Sequence, residues 1–424
     1  MFNKINILQT SEILGVSNAT IRNWIKHKYL SPLSKGKDIV FDYKEVKILK
    51  EKIVDGQIAR LNKRANKRNS TKKFIPKKYA DEENLANNLT IISAHISQKS
   101  LGLLESIFLL SLNLLFKEKL IFSNNLDELL SFQATFYKNN YLLKIIKDFY
   151  SQIGKFSNDQ RYKSILELDI PSHFDILGLL YQSIKSEGEK AKQGSYYTPK
   201  DIVDDIISDY VKGTDKVLDP CCGTGQFLLN ASEFISHPNN IYGFDIDPIA
   251  IFISKLNLII KYKTLDFNPH IFQKDTLLEI DNSTLFSTSE YPANYDLIIT
   301  NPPWGLHFDN GTISALKSIY PHIKSLESFS YFLYKSIEML KEGGILSFIL
   351  PESILNIKLH NDIRNTILKN TSILKIVKLG RAFTNVFTNV IRIDLKKNSP
   401  TKDHKINITS DSFYRIVQER FWSN

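Results

Sequence analysis

Cysteine is nearly absent from this sequence. Only Cys221 and Cys222 occur among 424 residues, and they are neighbours. They cannot build a disulfide framework, which fits a reducing compartment. Two adjacent thiols without further Cys partners also make a poor zinc site, so no metal is expected. A long apolar run is missing too. The most apolar segment, "SLGLLESIFLLSLNLLF", is interrupted by Glu105 and reads as a buried helix, not a membrane span. The opening residues MFNKINILQT lack the charged start and apolar run of a secretory signal. Acidic residues are missing from one stretch. Between Ile58 and Tyr79 stand Arg60, Lys63, Arg64, Lys67, Arg68, Lys72, Lys73, Lys77 and Lys78, with no Asp or Glu. These nine cations account for nearly all of the formal net charge of +10. Such a run is either a solvated linker or an arm that contacts phosphates, with Arg64 and Arg68 as candidate contacts. A cytoplasmic, nucleoid-associated location without a membrane partner is the expectation.

What is present divides into regions. The length allows two or three domains with a substantial core, and 42% hydrophobic residues is ordinary for a globular chain. Residues 6–30 read "NILQTSEILGVSNATIRNWIKHKYL". A short helix beginning near Thr10 or Ser11, a Gly15-Val16-Ser17 turn and a second helix capped by Ser17 make a helix-turn-helix. Ile21, Trp24 and Ile25 fall at helical spacing on the second helix. Asn18, Thr20, Arg22, Asn23 and Lys26 fall on its other face, where they suit base edges and phosphates. The stretch "YLSPLSKGKDIVFDYKEV" reads as a wing, and the whole resembles the MerR-like winged helix-turn-helix module. A small packing or dimerisation domain is the plainer alternative. The boundaries expected are 1–57 for this module, 58–81 for a basic linker, 82–185 for a helical domain and 186–424 for a catalytic domain.

From about Gly194 short apolar runs alternate with helical patterns: "KVLDP", "NIYGFDID", "YDLIIT", "GILSFIL", "ILKIVKL" and "NVIRIDL". That alternation predicts an α/β fold with a mainly parallel sheet, whose ligands sit beyond the carboxyl ends of the strands. After the first run comes "LDPCCGTGQFLL". Gly223 and Gly225 let backbone approach a ligand, and Asp219 stands at the strand end. The loop is not the G-x-G-x-x-G of nicotinamide enzymes and has no phosphate-loop lysine. Asp245 follows the second run at the offset of a ribose-binding acid, with Ile246 placed beside an adenine. Asp247, next to Pro248, reads as a helix cap. Asp275 ends another short run and could accept an adenine amino group. Together these loops describe an S-adenosylmethionine pocket.

The fourth element is "NPPW", Asn301-Pro302-Pro303-Trp304. With it, residues from about Asp175 to Lys397 resemble the gamma-class DNA adenine-N6 methyltransferases, which include type I modification subunits and fused type IIG enzymes. The motifs stand in the family's order: "GSYYTP" at 194–199, "DPCCGTG", "GFDID", "NPPW", "LKEGGILSFILPES" and "GRAFTNVFTNVIRIDL". The resemblance implies a class I S-adenosylmethionine-dependent methyltransferase fold. It implies that Tyr197, Thr198 and Pro199 wrap the methionine end, with Thr198 on the carboxylate. Asp219, Pro220, Gly223, Gly225, Asp245, Ile246, Asp275 and Asn301 complete the cofactor set. Asn301 and Pro302 are the catalytic acceptors, on a turn made rigid by Pro303. Trp304 stacks on a flipped-out base. Phe383, or else Phe387, is placed on the base's opposite face.

The implied activity is methylation of adenine N6 in double-stranded DNA as part of a restriction-modification system. The chain stops soon after the last apolar run, so a separate specificity subunit is expected to read the sequence. Two other functions compete: methylation of RNA or of a protein glutamine, and a DNA-binding regulator that keeps a cofactor fold without turnover.

Overall fold

In a computed structural model of the chain, the described residues are 4–14, 16, 18–26, 29–34, 39–54, 83–98, 101–153, 160–171, 173–185, 197–278, 294–383, 388–410, 413–418 and 421. The chain divides into two compact units. One is Met1–Phe74 with Lys185–Gln193; the other is Ile75–Ile184 with Gly194–Asn424. The basic run with Arg64 and Arg68 lies outside the described residues.

The first unit contains β1 (Lys4–Asn6), α1 (Ile7–Leu14), α2 (Asn18–Lys26), β2 (Val40–Asp42) and α3 (Tyr43–Val54). β1 and β2 pair antiparallel, Lys4 opposite Asp42. α1 starts earlier than the expected Thr10. Asn6 Oδ1 accepts from Gln9 N at 2.9 Å, and Gln9 Oε1 accepts from Asn6 N at 3.0 Å. That reciprocal N-x-x-Q cap fixes the start at Ile7. Ser17, the expected cap of α2, lies outside the described residues. Ile21 and Trp24 of α2 are buried with Leu14, Phe41 and Val46. Asn18, Arg22 and Lys26 are exposed and Thr20 is half-buried, while the side chain of Asn23 lies outside the described set.

The second unit opens with helices: α4 (Glu83–Gln98), α5 (Leu103–Lys117), α6 (Leu126–Leu130), α7 (Asn140–Tyr150), α8 (Gln160–Leu166) and α9 (Ile176–Ile184). The run read as a buried helix is α5, in which Ser106 through Leu115 are buried. Among the described residues no helix is long and apolar enough to cross a membrane. Then follow α10 (Lys200–Tyr210), β3 (Val217–Asp219), α11 (Gln226–Ala231), β4 (Ile241–Asp245), α12 (Pro248–Lys261), β5 (His270–Gln273) and β6 (Tyr295–Thr300). The unit closes with α13 (Asn310–Ile319), α14 (Ser328–Met339), β7 (Leu340–Pro351), α15 (Asn361–Asn370), β8 (Thr371–Gly380), β9 (Val390–Lys397), β10 (Lys405–Thr409) and β11 (Phe413–Val417).

Strands of this unit form one sheet in the order β11-β10-β8-β9-β7-β6-β3-β4-β5. From β7 to β5 every pairing is parallel. β9 runs antiparallel to both β7 and β8, so the sheet is mixed. The cause is connection length. Gly380 to Val390 is too short for the crossover that a parallel neighbour requires, so β8 turns back as a hairpin. β10 and β11, beyond the last of the apolar runs, extend the far edge.

Stretch 82–185 does not have a core to itself. α12 is apolar nearly all round, with Ile251 and Leu258 packed toward the sheet and Phe252, Ile253 and Leu256 toward the helices. A helix apolar on every face needs cover on both sides. The helical layer supplies it; Phe149 of α7 stacks on Phe252 with ring centroids 3.8 Å apart. The expected boundary at 185/186 therefore cuts through shared packing.

Candidate active site

β3 lies between β6 and β4, and all three run parallel, so their carboxyl ends reach one edge together. The chain leaves β3 for β4 on one side and returns as β6 on the other. That reversal opens a crevice at the ends of β3 and β6. The loop after β3, the acids after β4 and the turn after β6 meet there.

Asp219 ends β3 and is 2% exposed. Its Oδ1 accepts from Thr300 Oγ1 at 2.7 Å and from Cys221 N at 3.1 Å. Burial pushes its pKa up to about 7, and the Asp245 charge adds to the rise, while both hydrogen bonds oppose it. Thr300 is the last residue of β6, and its hydroxyl also meets Cys221 Sγ at 2.8 Å. One threonine thus sets the register between the β3 loop and Asn301. Both glycines of that loop have positive φ, 52° at Gly223 and 86° at Gly225. Nothing lies within 4 Å of where a Cβ on Gly223 would be, so the backbone there faces open space.

Asp245 ends β4. Its Oδ2 accepts from Gly223 N at 2.8 Å and its Oδ1 from Asp247 N at 2.9 Å. Both oxygens brace backbone here, and a ribose would use their second lone pairs. Ile246 is 66% exposed, as a residue waiting to cover a flat ring would be. Asp247 caps α12, its Oδ1 accepting from Ile249 N and Ala250 N at 3.0 and 3.3 Å. Asp275 Oδ1 accepts from Leu277 N and Leu278 N at 2.9 and 3.1 Å, so this acid also holds a turn. Thr276 Oγ1 donates to Pro220 O at 2.6 Å and pins that turn to the β3 loop.

The 197–199 segment closes another side. Thr198 exchanges two hydrogen bonds with Gln226, the first residue of α11, at 2.8 and 3.2 Å. Its hydroxyl accepts from Asn301 Nδ2 at 3.1 Å. The Thr198 side chain expected on a carboxylate is therefore turned to Asn301 in this structure. That contact also directs the amide, with nitrogen toward Thr198. Pro199 is the residue before α10, and its carbonyl accepts from Ile202 N and Val203 N. Gly194, Ser195 and Tyr196 of the same motif lie outside the described residues.

In the NPPW turn Pro302 is buried, and Asn301, Pro303 and Trp304 are half-buried. Ser328 of α14 donates a short hydrogen bond to Pro303 O. Trp304 Nε1 donates to Ile349 O of β7 at 3.3 Å. Phe383 lies beside Trp304. It is 2% exposed and meets Trp304 edge to face, centroids 5.3 Å apart and planes at 87°. Edge-on contact is a favourable arrangement for two rings with nothing between them. It is not the parallel pair that would sandwich a base. Phe387 lies outside the described residues.

Several residues of the site were not singled out in the sequence: Asp175, Tyr181, Gln226, Asn257, Thr300 and Ser328. Each acts through a contact distant in sequence, so spacing offers no signal. Thr300 alone carries a hint, a polar residue ending an apolar strand.

The set fits S-adenosylmethionine. A buried carboxylate and a neighbouring acid suit a cation, and a glycine backbone at positive φ suits close approach. A polyphosphate would be repelled by the acids Asp219 and Asp245.

Comparison with known proteins gives the same direction. Residues 172–418 match the N-6 DNA Methylase family. The chain is 30% identical over 251 residues to the type II methyltransferase M.VspI of Vibrio sp. (strain 343), covering 58% of this chain and 59% of that one. It is 22% identical over 285 residues to the type I restriction enzyme EcoEI methylase subunit of Escherichia coli, covering 63% and 53%. The chain thus spans little more than half the length of these relatives. A solved structure from Vibrio vulnificus YJ016, assigned as a modification subunit of a type I restriction enzyme, superposes with a TM-score of 0.54 at 17% identity. It covers 76% of this chain and 84% of that one, so the two share a fold. With more than half of its residues inside the family match, and the family's loops meeting at one sheet edge, the chain belongs to the N-6 DNA methylase family.

Proposed function

We propose that this chain transfers a methyl group from S-adenosylmethionine to N6 of a flipped-out adenine in DNA, as the modification component of a restriction-modification system. The observation that carries the reading is the 3.1 Å bond from Asn301 Nδ2 to Thr198 Oγ1. It holds the asparagine beside the 197–199 segment and leaves Oδ1 as the end of the amide that can accept from substrate.

When bound, S-adenosylmethionine supplies an activated methyl on a sulfonium centre. The protein's task is the nucleophile. Adenine's amino lone pair is delocalised into the ring. Asn301 Oδ1 accepts one N–H and the Pro302 carbonyl accepts the other. Two acceptors so placed favour a tetrahedral nitrogen whose lone pair is localised. Two consecutive prolines fix the carbonyl direction before substrate arrives. Ser328 on Pro303 O and Thr300 on Asp219 hold the turn from both ends. No titrating base takes part. Trp304 stacks on the flipped base, and Phe383 turns to the opposite face once a base separates the rings.

The winged helix-turn-helix reading of the first unit, with Asn18, Thr20, Arg22, Asn23 and Lys26 toward duplex DNA, is supported by the exposure of Asn18, Arg22 and Lys26 opposite the buried Ile21 and Trp24. A separate specificity subunit as partner and a cytoplasmic, nucleoid-associated setting complete the proposal. Mass spectrometry of unmethylated genomic DNA, after incubation with the protein, a specificity subunit and S-adenosylmethionine, tests it. N6-methyladenine is the expected product. Asn301→Ala should lower its formation by about 10²–10³-fold, the usual loss for one preorganised polar contact. Methyl found on RNA or on a glutamine instead would replace the substrate assignment, and full activity of Asn301→Ala would remove the catalytic one.

A further inference from the structure

Asp175 precedes α9 and is wholly buried. Its partners are neutral donors: Tyr197 OH on Oδ2, and Asn257 Nδ2 at 2.8 Å and Gly178 N at 3.2 Å on Oδ1. Burial pushes its pKa up to about 7 against those three bonds. A carboxylate in the interior without a cation costs stability, so its place needs a reason beyond packing.

Its partners supply one. Tyr197 belongs to the 197–199 segment. Asn257, on α12, also donates to Thr224 O in the glycine loop at 3.1 Å. On the same helix as Gly178, Tyr181 donates to Asp247 beside the ribose acid Asp245. Asp175, Tyr181 of α9 and Asn257 of α12 therefore connect three of the loops that face the crevice. The fit has no slack. A Cβ on Gly178 would stand 2.3 and 2.7 Å from the two Asp175 oxygens and 2.7 Å from Thr224 Oγ1.

We propose that Asp175 is a positioning residue for the cofactor: through Tyr197 on one oxygen and Asn257 on the other, it fixes the spacing between the 197–199 segment and the glycine loop. The proposal rests on the S-adenosylmethionine reading of the crevice. Asp175 does not reach the crevice itself, and its effect is carried by the two segments that do.

A plainer role exists, since the Gly178 N bond resembles a helix cap. The two roles separate by substitution. Asp175→Asn keeps one carbonyl oxygen, and asparagine caps helices as well as aspartate does. It cannot accept on both sides, so the link to Tyr197 changes and the cap stays. Tyr197→Phe removes the same link from the other end without touching α9. The experiment is calorimetric titration of the full chain with S-adenosylmethionine, beside steady-state methylation of unmethylated genomic DNA with a specificity subunit present. Expected for each variant is about tenfold weaker binding, the loss of one hydrogen bond to a charged group. The increase should fall in KM for S-adenosylmethionine and not in kcat. The double variant should be no worse than either single one, because both act on the same link. Wild-type affinity in both variants, with or without a lowered Tm, overturns the proposal and leaves Asp175 as a cap. Should Asp175→Asn fail to fold, Asn257→Leu, which cuts the other side of the link from outside the cofactor set, is read beside Tyr197→Phe, and wild-type affinity in both overturns the proposal. If the wild-type chain binds no S-adenosylmethionine, the cofactor reading itself fails, a result distinct from equal binding by wild type and variants.

Discussion

Asp219 brings the chemistry of this site down to a single proton. In an unfolded chain its carboxyl titrates near 3.8; in the folded protein burial pushes it up to about 7. Between those values the folded state holds a proton that the unfolded state has released. The contribution to stability is complete below the unfolded pKa and is lost as pH rises through the folded one. The cofactor-free protein should therefore lose thermal stability from pH 4 toward pH 7 at this site. Asp219→Asn, which cannot titrate, should show a shallower decline over that window in scanning fluorimetry. Equal slopes for wild type and variant would mean that Asp219 is ionised throughout. Trp304 makes a second residue-scale case. If its ring stacks on a flipped base, Trp304→Ala removes about 1–3 kcal/mol of base contact. A DNA duplex with 2-aminopurine at the target should then show a weaker fluorescence rise on binding. An unchanged rise would assign Trp304 to packing against Phe383 alone.

At the scale of elements, the legible parts were those whose signal is local. "LDPCCGTG", "GFDID" and "NPPW" each follow an apolar run, and each stands at the carboxyl end of a strand, at β3, β4 and β6. Pro248 after Asp247 announced the cap of α12, which its side chain makes. What stayed illegible depends on contacts across the sheet. Nothing near Phe383 says that it will meet Trp304 edge-on, because that angle is set where the β8–β9 hairpin joins β7. Nothing in "FDILGLLYQSI" separates a scaffold helix from one that holds distant loops. Its apolar spacing is the same in both cases, and the difference lies in Asp175 and Tyr181 reaching Tyr197 and Asp247. Ser328 belongs to this class as well. It tethers Pro303 O from α14, so Ser328→Ala should let the turn relax without changing any group that faces substrate. The expected result is a lower kcat by about tenfold, in line with the cost of small misplacement at a reacting centre, with binding of S-adenosylmethionine retained. A kcat equal to wild type would show that the two prolines hold the turn unaided.

At the scale of the whole molecule, the proposed reaction raises the question of where duplex DNA is held, since a flipped nucleotide carries its duplex with it. The exposed Arg22 and Lys26 of α2 are the described cations most directly testable, because Ile21 and Trp24 fix that helix's orientation from beneath. Phosphate contacts have a signature that base contacts lack. Each one adds about 0.9 to the slope of log affinity against log salt on B-form DNA. If both side chains sit on phosphates, the double change Arg22→Ala with Lys26→Ala should reduce that slope by about 1.8, measured by fluorescence anisotropy over a salt series. Affinity should fall alike for every sequence tested. If one of them reads a base edge, the slope falls by about half as much, and the loss concentrates on particular sequences. An unaltered slope would take α2 out of the DNA-binding surface and leave this unit a packing module. In none of these outcomes should binding of S-adenosylmethionine change, since neither side chain belongs to the crevice. Salt slope and cofactor affinity together thus separate how the chain holds DNA from how it treats the base.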